Sequence, residues 1–115
     1  MAERRMELSA GQVWWARPDP AVGREQSGRR PLLIVAHDRY HTLMTTLTLA
    51  VPLTTTDRGW PNHVPVCELG GEQASYAMTE QVRVVSRDRL TDLIGTASPE
   101  TLTPIRSWVE EYLSE

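Results

Sequence analysis

The sequence predicts a mainly β fold: a small, strongly bent antiparallel sheet or barrel with one helix at its C-terminal end. Many short runs of β-branched and aliphatic residues are separated by glycine- and proline-containing turns, which is typical of small β architectures. A sustained helical period appears only after residue 97. A length of 115 residues fits one domain, which we expect to span 1–115.

The predicted strands follow the apolar runs of the chain. The first run stops at Pro18, because a proline lacks the N–H that a strand ladder needs. The second, 32–36, is apolar throughout, which indicates burial on both faces. We expect residues 1–9 to form a loose arm. The predicted strands are 12–17, 32–36, 45–53, 63–67, 76–85 and 93–97.

The segment 98–113 is predicted to be the C-terminal helix. Ser98 is a suitable N-cap, and Pro99 suits the first helical position. Pro104 lies inside the helical pattern, so we expect either a kink there or a helix that starts at Pro104 with Thr103 as its cap. The apolar stripe of this helix indicates a contribution to the core and no chemistry.

Charge is distributed unevenly along the chain. The net charge is −3 at pH 7, with +2 in residues 1–63 (eight arginines, six acids) and −5 in residues 64–115 (four arginines, nine acids). All twelve basic residues are arginine, whose planar guanidinium suits phosphate. A nucleic-acid site on this chain would therefore be a local basic patch on an acidic body.

The composition excludes several classes of protein. The single cysteine, Cys67, excludes an internal disulfide and a cysteine-only metal site, and we expect it to be a small buried residue on a strand. No apolar run approaches the ~20 residues of a membrane-spanning helix. The basic N-terminus lacks the apolar segment of a signal peptide. We therefore expect a cytoplasmic protein without membrane contact.

The sequence offers little for metal or nucleophilic chemistry. His37 and His41 have the i, i+4 spacing of a metal-binding pair, but this spacing matters only on a helix, and 37–42 looks like a polar loop. The carboxylates are dispersed, and neither a serine-nucleophile motif nor a Gly-Lys phosphate loop is present. We expect no metal and no cofactor, and we interpret His63 as an ordinary strand-end residue.

The densest group of polar residues lies at 23–31, directly before a buried strand. It reads Gly-Arg-Glu-Gln-Ser-Gly-Arg-Arg-Pro. Its glycines permit a tight turn and leave room for a ligand, and its proline fits the first residue of a strand. The pattern indicates a charged loop attached to a rigid strand, where binding and catalytic residues often lie.

This loop resembles the signature loop of the MazF/PemK/Kid toxins, ribosome-independent endoribonucleases of toxin–antitoxin systems. The resemblance covers roughly residues 10–113. It implies an SH3-like, strongly bent antiparallel barrel with a C-terminal helix, assembled as a two-fold homodimer. The other segments that resemble the family, in the same order, are 11–15 (GQVWW), 51–55 (VPLTT) and 79–84 (TEQVRV).

The resemblance implies catalytic roles for Arg30 and Thr54. The guanidinium of Arg30 would clamp the scissile phosphate and stabilise the charge that develops on it. Thr54 would donate to a phosphate or leaving-group oxygen. Because a guanidinium does not readily lose a proton, we assign assistance in 2′-hydroxyl deprotonation to Glu25. The alternative for Glu25 is a loop carboxylate paired with Arg24 or Arg29.

Further RNA contacts are expected on the same segments. On a strand, Gln81 and Arg83 would share one face while Glu80 points to the other, and the sequence does not say which face meets RNA. Trp60 either stacks on a base or packs on the barrel. The expected RNA-binding residues are Gln26, Arg29, Thr55, Trp60, Glu80, Gln81 and Arg83.

The resemblance implies a toxin that cleaves single-stranded RNA at a short sequence without a metal, leaving 2′,3′-cyclic phosphate and 5′-hydroxyl ends. It also implies a cognate antitoxin whose disordered tail covers the active groove. Two other functions stay open. One is a non-enzymatic toxin resembling CcdB, which traps DNA gyrase and would not need Arg30 or Thr54. The other is a barrel that binds RNA or protein without cutting.

Overall fold

The computed structural model describes residues 7–18, 28–71 and 73–114. Within these ranges, seven strands form an antiparallel sheet accompanied by two α-helices. Short 3-10 turns at Thr79–Gln81 and Arg87–Arg89 flank the sixth strand. The elements are β1 (Gln12–Ala16), β2 (Arg30–Ile34), α1 (Asp38–Leu43), β3 (Leu47–Thr54), β4 (His63–Val66), β5 (Ser75–Met78), β6 (Arg83–Ser86), β7 (Leu90–Thr96) and α2 (Pro99–Leu113).

The sheet is strongly bent around β3. The strand order is β4-β5-β3-β2-β1-β7, and β6 pairs with β3 off this path. Residues 47–50 of β3 pair with β6, whereas Leu53 and Thr54 pair with β5. The predicted antiparallel fold with a C-terminal helix is confirmed. Over the described residues, however, the sheet does not close, so the expected barrel is corrected to an open, bent sheet.

Strand β2 is covered on both faces, as its apolar sequence predicts. Leu33 packs into a cluster that includes Val13, Val51 and Ile105 of α2. Its neighbours Leu32 and Ile34 belong to a second cluster, with Ala16, Ala50, Val85 and Leu90. Because side chains alternate across a strand, the two clusters lie on opposite faces of β2. The cluster that includes Ile105 of α2 covers one face, and the second cluster covers the other face.

Two predicted segments differ from the structure. The stretch 37–42, expected to be a polar loop, contains helix α1, whose C-terminal carbonyls accept hydrogen bonds from Arg87: His41 O at 2.9 Å and Met44 O at 3.0 Å. The expected strand 76–85 is broken, because the chain turns at Thr79–Gln81 between β5 and β6. Both differences depend on contacts that are distant in sequence.

The ends of the chain and the cysteine also differ in part. Only 7–9 of the expected N-terminal arm are described, and there Leu8 is buried. Cys67 is exposed after β4 and is not the buried residue that we expected. Helix α2 begins at Pro99, so the alternative start at Pro104 is wrong. None of the described helices is both long enough and apolar enough to span a bilayer.

The start of α2 is held by a carboxylate from another part of the chain. Ser98 caps the helix, its Oγ accepting from the Thr101 N–H at 3.3 Å. Glu68 Oε2 accepts hydrogen bonds from Ser98 Oγ at 2.6 Å, Thr101 Oγ1 at 2.8 Å and the Ser98 N–H at 3.1 Å. The bond from the Ser98 hydroxyl is the main reason why the pKa of Glu68 falls to about 2. The carboxylate thus extends the cap, and its negative charge interacts favourably with the positive, N-terminal end of the helix dipole.

We expect Glu68→Gln to lower the free energy of unfolding by about 1 kcal/mol at pH 7, a modest value because the carboxylate is solvent-exposed. Since the pKa of Glu68 is depressed in the folded state, its contribution is complete above the ordinary glutamate pKa. It disappears as the pH falls towards 2. Urea unfolding at pH 7 and pH 3, with Glu7→Gln as control, measures this. A loss of equal size at both pH values would contradict the assignment.

Candidate active-site groove

A groove of about 310 Å³ crosses the face of the sheet opposite the cluster that includes Ile105. Its floor is apolar and includes Ala16, Leu32 and Pro52. The walls come from the ends of β1, β2 and β3 and from the chain around β6. Its polar lining residues are Arg17, Arg30, Gln81, Arg83 and Arg89.

The groove is basic although the chain is acidic. The lining that the structure describes contains four arginines and no carboxylate, whereas the whole chain has a net charge of −3. Cations gathered in a concave site raise the local concentration of anionic ligands. The groove is thus a local basic patch on an acidic chain, as the sequence predicts for a nucleic-acid site.

Arg30 is one of the arginines that line this groove. It is the first residue of β2 and pairs with Ala16 of β1, so its backbone is fixed by the sheet. Its side chain is exposed and lines the groove. Among the described residues, its guanidinium has no hydrogen-bond or ion-pair partner. The donors of Arg30 are therefore available for an anion in the groove.

Thr54 is the last residue of β3. The register pairs Leu32 with Pro52, and continued by two residues it brings Arg30 opposite Thr54. Because residues two apart share a strand face, both side chains are on the groove side of the sheet. Thr54 itself is not among the lining residues. Its Oγ1 accepts from the Thr56 N–H at 3.1 Å, which leaves the hydroxyl hydrogen to donate elsewhere.

The 3-10 turn at Thr79–Gln81 separates the three residues that we expected to alternate on one strand. Gln81 and Arg83 line the groove. Glu80 instead accepts from His63, whose Nε2 is 3.1 Å from each carboxylate oxygen, and from Asn62 Nδ2 at 3.3 Å. Burial alone would raise the pKa of Glu80, but the hydrogen bonds, chiefly that from His63, lower it overall. Gln81 and Arg83 therefore face the groove, whereas the Glu80 carboxylate forms hydrogen bonds with His63.

A ring of hydrogen bonds ties this turn to the C-terminal helix. The fully buried Thr79 donates from Oγ1 to Asn62 O at 2.7 Å. Its Oγ1 also lies 2.6 Å from the Tyr112 hydroxyl, which therefore donates to it. Asn62 Nδ2 donates in turn to the Tyr112 hydroxyl at 2.9 Å. Such a chain strengthens each member, so the last turn of α2 positions the groove edge that carries Gln81.

The remaining described candidates lie outside the groove lining. Arg29 forms an ion pair with Asp92 and lies 5.2 Å from the Trp15 ring centroid. Thr55 is exposed in the loop after β3. The Trp60 ring packs 4.7 Å from that of His63 and is 48% exposed. Stacking on a base stays a prediction for Trp60, as RNA contact does for Arg29 and Thr55.

Two predicted site residues, Glu25 and Gln26, lie outside the described residues. The roles that we expect for them, assistance in 2′-hydroxyl deprotonation and RNA contact, therefore stay predictions.

The two histidines with metal-like spacing do not converge on one point. His37 precedes α1, and His41 lies in its last turn with Nε2 2.7 Å from the buried Thr48 hydroxyl. Burial lowers the pKa of His41, and the nearby Arg87 lowers it further, although Asp38 acts in the opposite direction. Within the described residues, no three His, Cys, Asp or Glu side chains form a group that could hold a metal ion.

The sequence did not identify two groove residues, Arg17 and Arg89. Arg17 looked like the last residue of a strand, and Arg89 like part of a polar turn. They meet because β7 pairs with β1 in an antiparallel register that brings Leu90 opposite Ala16. The available signal was one arginine directly after β1 and one directly before β7, and it indicates a common site only once the pairing of these strands is known.

We expect Tyr112→Phe to lower the free energy of unfolding by about 1 kcal/mol, because the buried Thr79 hydroxyl and the Asn62 amide each lose a partner. Thermal and urea unfolding measure the loss. Tyr40→Phe, which removes a hydroxyl outside this ring, is the matched control. Equal stability of the two variants would show that the ring contributes nothing.

The chain is similar to known toxins over most of its length. Residues 9–113 match the family described as PemK-like, MazF-like toxin of type II toxin–antitoxin system. The "Endoribonuclease toxin MazF" of Escherichia coli K12 is 34% identical over 98 residues, covering 84% of this chain and 86% of that protein. The "Endoribonuclease EndoA" of Bacillus subtilis is 30% identical over 103 residues, covering 87% and 89%.

Solved structures agree with this. MazF from Deinococcus radiodurans (Form-I) superposes with a TM-score of 0.73 at 27% identity, covering 92% of this chain and 96% of that one. A mycobacterial endoribonuclease solved with its cognate antitoxin gives a TM-score of 0.73 at 26% identity, covering 93% and 95%. Fold, order of motifs and sequence similarity thus agree, and the chain belongs to the PemK-like, MazF-like family of toxins of type II toxin–antitoxin systems.

Proposed function

We propose that this toxin is an endoribonuclease that cleaves single-stranded RNA in the groove around Arg30, without a metal ion. The observation that carries the proposal is the exposed guanidinium of Arg30 among other arginines in a groove whose described lining has no carboxylate. Its curated relatives are named endoribonucleases. The basic groove supplies the electrostatics that a polyanionic substrate requires.

The proposed reaction is an internal transesterification. The 2′-hydroxyl of the nucleotide before the cut loses its proton, and its oxygen forms a bond to phosphorus. The bond from phosphorus to the 5′-oxygen then breaks, and that oxygen takes up a proton. The products are a 2′,3′-cyclic phosphate and a 5′-hydroxyl.

Each proposed catalytic residue has one part in this reaction. Arg30 donates hydrogen bonds to the nonbridging phosphate oxygens and stabilises the charge that grows on them. Thr54, whose hydroxyl hydrogen is not used by the Thr56 N–H contact, donates to a phosphate or leaving-group oxygen. Glu25 is our candidate for the group that assists removal of the 2′-hydroxyl proton.

The other RNA contacts that we propose divide by location. Gln81 and Arg83 belong to the groove itself. Trp60 offers an exposed ring for base stacking at a distance from it. Gln26, Arg29, Thr55 and Glu80 remain candidates from the resemblance alone.

A cognate antitoxin is the proposed protein partner. Structures in the same family contain toxin and antitoxin together, as in the MazE–MazF complex of Deinococcus radiodurans and the mycobacterial complex. An acidic, disordered segment that folds across the arginine-lined groove would block RNA by occupying the same donors. We also propose a homodimer and a cytoplasmic location, in line with the family.

The two other functions that the sequence left open are not favoured. A gyrase-binding toxin resembling CcdB has no use for an exposed Arg30 that lacks a partner among the described residues and lines a basic groove, and the similar proteins are named endoribonucleases. A barrel that binds RNA without cutting is disfavoured because the similar proteins are named endoribonucleases.

We expect Arg30→Ala to reduce RNA cleavage at least ~100-fold, because it removes the central donors to the developing phosphate charge. The cleavage rate of a long RNA, with 5′-hydroxyl ends mapped, measures this. Arg39→Ala, an exposed arginine of α1 outside the groove, is the control. An Arg30→Ala protein with wild-type activity would show that the centre lies elsewhere.

We expect cleavage to continue in EDTA at an unchanged rate, because the proposed chemistry uses only side chains of the protein. Product analysis should show cyclic phosphate at the 3′ end of the upstream fragment. Activity that disappears in EDTA and returns with a divalent ion would reject the mechanism while leaving nuclease activity itself intact.

A further inference from the structure

Arg17 and Arg89 form a preorganised pair at the β1–β7 end of the groove. Arg89 Nε donates to Arg17 O at 2.9 Å, and the Arg17 N–H donates to Arg89 O at 2.8 Å. The Arg17 guanidinium donates from one Nη to the carbonyl oxygen of Asp88. Backbone carbonyls thus hold both side chains in place, and their remaining N–H groups are left for a ligand.

The pair has no counter-ion among the described residues. Both side chains use carbonyl oxygens as acceptors, and neither forms an ion pair with a carboxylate of the part of the chain that the structure describes. Arg29 on the same sheet provides the contrast, since its guanidinium is neutralised by Asp92. Two arginines held side by side repel each other, and a bound anion relieves that repulsion.

The arginines of the groove follow one another across the strands. In this part of the sheet the strand order is β6-β3-β2-β1-β7. Arg83 lies on β6, Arg30 on β2, Arg17 directly after β1 and Arg89 directly before β7. With neighbouring strands about 4.8 Å apart, a polyanion that crosses the strands meets Arg83, then Arg30, then the Arg17–Arg89 pair.

We propose that the Arg17–Arg89 pair is a second phosphate-binding site, which holds a phosphate of single-stranded RNA adjacent to the one at Arg30, on the side away from Arg83. The inference rests on the proposed nuclease function and extends it. Its role is to bind and align the RNA backbone, with no part in proton transfer. A carboxylate could satisfy the same guanidinium donors, but the alignment with Arg30 favours the RNA backbone over an acidic peptide.

The test uses the full chain and an RNA oligonucleotide that spans a mapped cleavage site, with a 2′-deoxy nucleotide blocking attack. Fluorescence anisotropy gives Kd across a range of salt concentrations for wild type, Arg17→Gln, Arg89→Gln and the control Arg39→Gln. We expect each groove variant to weaken binding about fivefold at low salt. The slope of log K against log salt should fall by about 0.7 per lost phosphate contact.

A second arm removes the phosphate charge in place of the arginine. In wild type, one methylphosphonate at the phosphate next to the cleavage site should weaken binding at least as much as either substitution does, and its effect should be smaller in Arg17→Gln and in Arg89→Gln than in wild type. If one of the two variants folds poorly, the other still provides the comparison with wild type. Cleavage of the unmodified RNA by the variants should show a raised KM with an unchanged kcat.

The outcomes separate this proposal from the nuclease function. If wild type cleaves RNA but both variants match Arg39→Gln in affinity and salt slope, the phosphate site is wrong and the nuclease stands. If the variants lose affinity for an acidic peptide and keep their affinity for RNA, the pair binds protein and the proposal is overturned. If wild type cleaves no RNA, the nuclease function fails, and binding with an arginine-dependent salt slope would then support the site alone.

Discussion

Strand β3 pairs with two different strands along the same edge, and the bend of the sheet depends on this split pairing. Its first half pairs with β6 and its end with β5, so the chain must leave the sheet between these strands and turn at Thr79–Gln81. The turn is possible because the Thr79 hydroxyl finds partners in Asn62 and Tyr112 in place of the ladder. The resulting bend creates the concave face on which Arg30, Gln81 and Arg83 meet.

The two faces of the sheet have different tasks. One is closed by α2, whose Ile105 is fully buried against the strands. The other carries the groove, whose lining combines apolar residues with arginines. Side-chain alternation on β2 makes this possible, because Leu33 packs in the core beneath α2 while Arg30 and Leu32 line the groove. The same strand therefore stabilises the fold and fixes the proposed catalytic guanidinium.

Local patterns predicted the elements, and long-range contacts decided where they end. Alternation and apolar runs located the strands, and Ser98 with Pro99 located α2. The break at Thr79 could not be predicted, because it requires the Tyr112 hydroxyl, which lies 33 residues away. Helix α1 is short, and its carbonyls are satisfied by the distant Arg87. In the site, Arg30 followed from the family resemblance, whereas Arg17 and Arg89 meet only through the β1–β7 pairing.

All charged side chains in the described lining of the groove are arginines, and this lining contains no lysine, histidine or carboxylate. A guanidinium remains protonated throughout the range in which proteins stay folded. The charge that these walls present to a polyanion is therefore constant from mildly acidic to mildly alkaline solution. An inflection in the plot of cleavage rate against pH over that range therefore points to groups other than these arginines. The first candidates are the group that accepts the 2′-hydroxyl proton and the group that donates a proton to the leaving oxygen.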